Sequence, residues 1–154
     1  MKLLEKGDLL PLLATMSEWA MACYPSEACG LLLEKDGALR VLRCENLQDA
    51  LHARDPERFP RTSKSAYNLD PFVVEDRQDE GYAVRAVFHS HPEVGAYFSA
   101  EDVLSALAGD PDGDPVLPGA EYLVLSARAA GVDDWKLFTW DAARRTFTER
   151  ISQA

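Results

Sequence analysis

Two histidines, a serine and an aspartate lie within fourteen residues, where a predicted strand is followed by a predicted helix. The apolar, β-prone segment 83–88 runs directly into His89 and His91. Side chains two residues apart on a strand project from one face, so both imidazoles can meet the same ion. Ser99 precedes an apolar run with helical spacing, which places Asp102 in the first turn of a helix. The fold must therefore bring the end of this strand and the start of this helix together.

These residue types predict a metal site. Two imidazole nitrogens and one carboxylate oxygen suit zinc, and a catalytic zinc typically has three protein ligands and one open position. Each residue alone has an ordinary explanation. A strand histidine is more often packed or solvated than a ligand, and Ser-x-x-Asp before an apolar run is a helix capping box. The combination favours a metal, and the capping role can coexist with it. Other divalent ions accept the same ligands.

Other zinc signatures do not fit the chain. It contains no H-E-x-x-H sequence, which excludes a helix-borne zincin. Residues 91–93 satisfy H-x-E, but nucleobase deaminases also need a downstream Pro-Cys-x-x-Cys. The three cysteines (Cys23, Cys29 and Cys44) all lie upstream and form no C-x-x-C pair. Their odd number and irregular spacing suit a reducing compartment, and Cys29 is interpreted as a buried strand residue.

The same residues resemble the JAMM motif of the MPN-plus metallopeptidases. The motif combines H-x-H-P with a later S-x-x-D, and its members here are His89, His91, Ser99 and Asp102. The family also needs an upstream glutamate before an apolar strand, and Glu27 fits that position. The strand-like segments 122–126 and 135–140 resemble those that close the sheet in short, stand-alone prokaryotic members, so the likeness covers about residues 27–140. It implies an α+β fold with a mixed, largely antiparallel sheet packed by helices, related to the cytidine-deaminase-like architecture.

The resemblance also implies a role for each residue. His89, His91 and Asp102 would hold one Zn²⁺ per chain, whose bound water has a lowered pKa. Glu27 would take a proton from that water and return it to the leaving amine. Ser99 would donate a hydrogen bond to the oxyanion that forms at the substrate carbonyl.

Short prokaryotic relatives resemble enzymes that trim the C-terminus of small ubiquitin-like sulfur carriers. The expected reaction is therefore zinc-dependent hydrolysis of a peptide, isopeptide or related amide bond. The favoured substrate is a β-grasp sulfur carrier cut after Gly-Gly, including removal of a newly made cysteine. One alternative is a non-catalytic MPN scaffold, although such scaffolds usually lack some of the five residues present here. Another is a structural zinc module, which needs a fourth protein ligand that the sequence does not suggest.

Composition limits the remaining classes. A chain of 154 residues, 47% of them hydrophobic, fits a single domain over residues 1–154. Its formal net charge of −10 argues against a nucleic-acid partner. Charged residues and a proline interrupt the leucine-rich N-terminus, which argues against a signal peptide or a membrane span and predicts a cytoplasmic location. The oligomeric state stays open.

Hydrophobic periodicity predicts alternating helices and strands. The expected helices are 9–23, ended by Pro25; one from Asp70-Pro71 to about Gln78; and one after Ser99. The expected strands are 31–33 and 38–42 around an Asp36-Gly37 turn, a short one near Tyr67, the histidine strand, 122–126 and 134–140. Residues 146–151 fit either a strand or a helix, and residues 47–64 are expected to be irregular.

Two loops attract attention by their charges. A local cluster of positive residues interrupts an acidic chain and could attract an acidic partner, although a solvated loop is the simpler interpretation. Its members are Arg54, Arg58, Arg61 and Lys64. The acidic segment 110–114 resembles a calcium loop but lacks the later glutamate, so residues 109–119 are interpreted as a mobile connection near the cleft.

Overall fold

A computed structural model describes residues 2–154, and a six-stranded sheet forms the centre of this part of the chain. Its strands are β1 (Cys29–Lys35), β2 (Ala38–Cys44), β3 (Ala83–Pro92), β4 (Glu121–Arg128), β5 (Gly131–Asp141) and β6 (Thr146–Ser152). They lie in the order β2-β1-β3-β4-β5-β6. β3 and β4 are parallel, and every other neighbouring pair is antiparallel. The prediction of an α+β fold with a mixed, largely antiparallel sheet is confirmed.

The helices of the described residues are short. They are α1 (Lys6–Leu9), α2 (Leu13–Cys23), α3 (Gln48–Arg54), α4 (Pro71–Asp79) and α5 (Ala100–Ala106), with a 3₁₀ turn at Leu10–Leu12. The expected single helix over 9–23 is therefore divided. Pro11 lies in the 3₁₀ turn, where a residue without an N–H interrupts the α-helical hydrogen bonds. As predicted, α2 ends before Pro25, and Tyr24 has an extended ψ of 133°.

The hairpins at both ends of the sheet form as predicted. Asp36 and Gly37 join β1 to β2 with positive φ angles of 53° and 77°, the conformation of a type I′ turn. At the other end β5 pairs with both β4 and β6. Residues 146–152 are thus a strand, which settles the alternative left open for this segment.

Two local predictions are wrong. Residues 47–64 are not irregular throughout, because α3 forms over Gln48–Arg54, a polar helix without an apolar stripe that periodicity could detect. The described residues 61–70 contain no strand near Tyr67. There the amide of Asn46 takes the place of strand pairing, since it donates to the Ala66 carbonyl and accepts from the Asn68 N–H.

The sheet has an apolar core on each face, and β3 contributes to both. The face covered by α1 and α2 contains Leu32, Phe88 and Leu123, together with Leu9 and Met16 from the helices. The opposite face contains Leu31, Val87 and Val124, with α4 and α5 packed against it. Because side chains alternate along a strand, the histidines at positions 89 and 91 lie on this second face with the residue at 87. The helix that carries Asp102 covers the same face.

A close approach between strands fixes the position of β3. Gly30 on β1 pairs with Phe88, and an added Cβ at residue 30 would overlap the Phe88 ring and the Leu42 carbonyl oxygen. Only glycine allows this contact. Among residues 2–154, no helix combines the length and the apolar character needed to cross a membrane.

Candidate metal centre

Strand register brings Glu27 to the histidines. β1 and β3 are antiparallel with Cys29 opposite His89. The pairing continues past the start of β1, where the Ser90 N–H donates to the Ala28 carbonyl at 3.0 Å and the Ala28 N–H donates to Ser90 Oγ at 2.8 Å. Glu27 therefore lies at the point where β3 presents its two imidazoles, although it is far away in the sequence.

Three ligand-type atoms meet at equal distances. His89 Nε2, His91 Nε2 and Asp102 Oδ2 lie 3.1 Å from one another. Two ligands of a tetrahedral zinc, each 2.0–2.1 Å from the ion, lie roughly 3.3 Å apart. All three side chains are buried. Three buried lone pairs this close repel one another unless a proton or a cation lies between them. The two imidazole nitrogens and the carboxylate oxygen therefore fit a metal ion.

A buried group that includes Glu27 could hold a metal ion. One ligand atom each from Glu27, His89 and His91 lies within 4.8 Å of the others. Glu27 Oε1 is buried and has no hydrogen-bond partner among the residues that the structure describes. Burial raises the pKa of the Glu27 carboxyl, and the two imidazoles partly oppose that shift. A buried carboxylate oxygen without a protein partner calls for water or a cation.

Neighbouring groups fix both imidazole rings. His91 Nδ1 lies 3.0 Å from the Gly95 carbonyl oxygen, which can only accept, so Nδ1 carries a proton and the lone pair of Nε2 faces the centre. The Tyr67 ring stacks on His89 with centroids 4.5 Å apart. The Tyr97 ring meets His91 edge-on at 4.9 Å. Both rings are thus oriented before any ligand binds.

Ser99 and Asp102 form the predicted capping box at the start of α5. The Asp102 N–H donates to Ser99 Oγ, and the Ser99 N–H donates to Asp102 Oδ2, each at 3.0 Å. The oxygen that accepts from the backbone is the one that faces the histidines, so capping and site geometry coexist. Ser99 Oγ accepts this bond, which leaves its own proton to donate. Phe98 packs against Tyr122, Phe138 and Phe147 and anchors the chain directly before Ser99.

The charges of the centre are strongly coupled. Burial alone would raise the pKa of Asp102, but the charge of His89 and hydrogen bonds from His89 and the Ser99 amide hold it well below its usual range. Burial opposes the charged form of His89, yet the Asp102 carboxylate beside it raises the His89 pKa overall. The carboxylate and the His89 imidazole therefore each favour the charged form of the other.

A loop that the sequence interpretation left without a role holds the main chain of Glu27. The Glu27 N–H donates to the Ser63 carbonyl at 2.7 Å, and the Asn46 side chain donates to the Glu27 carbonyl at 2.9 Å. Asp49 in turn accepts from the N–H and the hydroxyl of Ser63, both at 2.7 Å. These partners lie far apart along the chain, so no local pattern identifies them. The loop that follows α3 is thereby attached to the centre.

The five predicted site residues therefore converge on the second face of the sheet. They are Glu27, His89, His91, Ser99 and Asp102, and all but Ser99 are buried. A cavity of about 500 Å³ opens beside Asp102, between α5 and the loop around residues 58–68. Sequence reasoning missed Asn46, Ser63 and Tyr67, whose contributions depend on long-range contacts.

The fold and the site define a JAB-type domain. The sequence profile of Prok-JAB, the prokaryotic homologues of the JAB domain, matches residues 9–138. The chain belongs to this family, which confirms the relationship to JAMM and MPN proteins inferred from the motif.

Solved structures share the fold of this chain. The chain is similar to the solution structure of a protein from Desulfitobacterium hafniense, with 28% identity over 92% of this chain and 86% of that one and a TM-score of 0.61. A protein from Salinibacter ruber has the same fold, with 24% identity over 98% of this chain and 89% of that one and a TM-score of 0.55. No curated protein matches significantly.

Proposed function

We propose that this protein is a zinc-dependent hydrolase of peptide-type amide bonds. The observation that carries the proposal is the 3.1 Å triangle of His89 Nε2, His91 Nε2 and Asp102 Oδ2. The Glu27 carboxylate lies near the two histidines, and its Oε1 has no hydrogen-bond partner within residues 2–154. Membership of the Prok-JAB family supports it. A scaffold that only binds partners has no need for this complete set of buried polar groups, each of which costs stability when it lacks a ligand.

His89, His91 and Asp102 are proposed as the residues that hold the metal. Asp102 Oδ2 lies 3.1 Å from each imidazole Nε2, which is also the distance between the two Nε2 atoms. A Glu27 oxygen lies within 4.8 Å of both histidines, but within residues 2–154 Glu27 forms no ion pair with either of them. Glu27 is therefore assigned to a position outside the ligand set. When bound, zinc supplies Lewis acidity, which polarises the substrate carbonyl and lowers the pKa of water.

The protein residues supply proton transfer and charge stabilisation. Glu27 accepts a proton as water adds to the carbonyl carbon, and it returns that proton to the nitrogen as the C–N bond breaks. The products are a carboxylate and an amine. The Ser99 hydroxyl donates a hydrogen bond to the carbonyl oxygen while negative charge develops there. Its Oγ is fixed by the Asp102 N–H, so the donor is already oriented.

As substrate class we propose the extended C-terminal tail of a small β-grasp sulfur carrier, cut after Gly-Gly. Support comes from the depth of the centre, since the side chains of His89 and Asp102 are only 0% and 8% exposed. A folded segment cannot reach such atoms, whereas a glycine-rich tail passes through a narrow cleft. The globular part of the carrier would dock outside and contribute binding energy to the reaction.

The test uses carriers that end in Gly-Gly followed by one cysteine. Intact mass should show loss of the terminal residue, and the activity should disappear with a chelator and return with zinc. Glu27→Gln should retain fold and zinc but lose activity by about 10²- to 10⁴-fold, the usual contribution of general acid–base catalysis. Glu57→Gln makes the same chemical change at an exposed position and should behave as the wild type.

Three results would contradict parts of this proposal. Unchanged turnover by Glu27→Gln would remove that residue from the mechanism. Intact carriers together with free degradation of unfolded peptides would exclude the sulfur-carrier assignment but keep the metallopeptidase. A protein that is inactive on every amide and binds a partner tightly would be a scaffold.

A further inference from the structure

Two arginines line the cavity beside Asp102. The cavity, of about 500 Å³, has walls from α5 and from the loop that follows α3. Residues from both walls include Arg58, Phe59, Arg61, Tyr67, Glu101 and Ser105. The other two members of the positive cluster, Arg54 and Lys64, do not line it. The lining also contains the carboxylates of Glu101 and Asp102. With Asp102 assigned to the metal, the two arginines outnumber the one remaining carboxylate, which favours an anionic ligand next to the reacting centre.

The main chain of Arg61 is held firmly. Its carbonyl accepts a hydrogen bond from Gln48 Nε2 at 2.8 Å, and Gln48 is buried. Gln48 Oε1 in turn accepts from Asn68 Nδ2 at 2.8 Å. The arginine therefore projects from a fixed point, which lowers the entropy lost when its guanidinium binds a ligand.

The guanidinium of Arg61 has a partner that is easily replaced. It lies 3.6 Å from the Glu101 carboxylate and donates a long hydrogen bond to the Ser65 carbonyl at 3.4 Å. The side chains of Arg61 and Glu101 are 47% and 56% exposed. A long, solvated ion pair contributes little to stability. Another carboxylate can therefore take the place of Glu101 at small cost, and the guanidinium can offer that carboxylate two parallel N–H donors.

Arg58 adds a second cation to the same wall. Among residues 2–154, no carboxylate lies within 4.0 Å of its guanidinium, which stacks over the Phe59 ring at 5.3 Å. Its charge is thus not neutralised by a direct ion pair. The two arginines therefore place two positive charges in the lining of the cavity that Asp102 also lines.

We infer that Arg61, assisted by Arg58, binds the free α-carboxylate of the substrate's last residue. This contact favours substrates whose leaving group ends in a free carboxylate, and it disfavours bonds whose leaving group lacks one. While no substrate is bound, the Glu101 carboxylate forms an ion pair with the Arg61 guanidinium. This inference rests on the proposed function, because it assigns the leaving-group side of the same cleft.

The test compares two carriers that differ in one group. Both end in Gly-Gly-Cys, one with a free carboxylate and the other with a C-terminal amide. The wild type should cleave the carboxylate form with kcat/KM about tenfold higher, the effect of one partly exposed charge-assisted hydrogen bond. Arg61→Ala should bring this ratio close to one, whereas Arg54→Ala, the same substitution outside the cavity, should keep it. Equal cleavage by the wild type, or an unchanged ratio in Arg61→Ala, overturns the inference.

A binding measurement separates this inference from the proposed function. Glu27→Gln should bind the carboxylate form about tenfold more tightly than the amide form by calorimetry, and the preference should shrink in 0.5 M NaCl (roughly 4 Å Debye length). The added Arg61→Ala change should remove it. Preferential binding without any cleavage by the wild type would sink the proposed function and keep the inference. Cleavage without preference, or no preferential binding, would sink the inference.

Discussion

His89 and His91 lie on β3, which pairs with β1 on one side and β4 on the other and is buried almost throughout. Glu27 and Arg61 lie outside the strands, and their main chains depend on side-chain hydrogen bonds from Asn46 and Gln48. The histidines are therefore held by the rigid sheet. Glu27 and Arg61, which both have proposed roles, are held instead by hydrogen bonds that involve the loop after α3.

This difference divides the centre into a sheet-borne half and a loop-borne half. The sheet-borne half contains the two histidines, and α5 adds Asp102 to it through the capping box. The loop-borne half consists of Glu27 and the segment that follows α3. Changes in the first half should remove the metal, and changes in the second should reduce turnover or selectivity while the metal stays. Three variants test whether the halves are separable.

The largest effect is expected from His89→Ala. It removes one of three atoms that meet at 3.1 Å, so bound zinc should fall from about one per chain to nearly none. Metal analysis after mild chelation measures this. His52→Ala removes the remaining histidine, whose Nδ1 contacts the Phe59 carbonyl, and should retain the metal. Stoichiometric zinc in His89→Ala would show that the ligand set is different.

Gly30→Ala should disturb the sheet-borne half through packing alone. The added methyl group overlaps the Phe88 ring and the Leu42 carbonyl oxygen, neither of which can move freely inside the sheet. We expect the free energy of unfolding to fall by about 3 kcal/mol, measured by urea denaturation. Gly7→Ala is the control, since an added Cβ there meets nothing within 4 Å. Equal stability of the two variants would mean that β1 and β3 can separate without cost.

Asn46→Ala should give the smallest change and affect the loop-borne half. It removes the hydrogen bonds to the Glu27 and Ala66 carbonyls and should lower the free energy of unfolding by about 1–2 kcal/mol. Turnover should fall several-fold while zinc content stays at the wild-type level. Kinetics and metal analysis on the same sample decide this, with the exposed Gln153→Ala as control. Loss of zinc together with turnover would show that the two halves are one unit.

Local sequence patterns were sufficient to predict much of the architecture. Alternation along β3 placed His89 and His91 on one face, and Ser-x-x-Asp before an apolar run located the start of α5. Asp36-Gly37 predicted the turn between β1 and β2. Each of these features depends on neighbours within a few residues, where backbone geometry and side-chain spacing act directly.

Only the tertiary structure decided what surrounds these elements. α3 is polar on the surface and gave no periodic signal, and Tyr67 is buried by stacking on His89 and not by strand pairing. Asn46 reaches partners about 20 residues away along the chain. Of the four positive residues in the cluster, only Arg58 and Arg61 line the cavity. This cavity forms because α5 packs over the loop that carries them. Contacts of this kind depend on how distant segments pack, which the order of residues does not display.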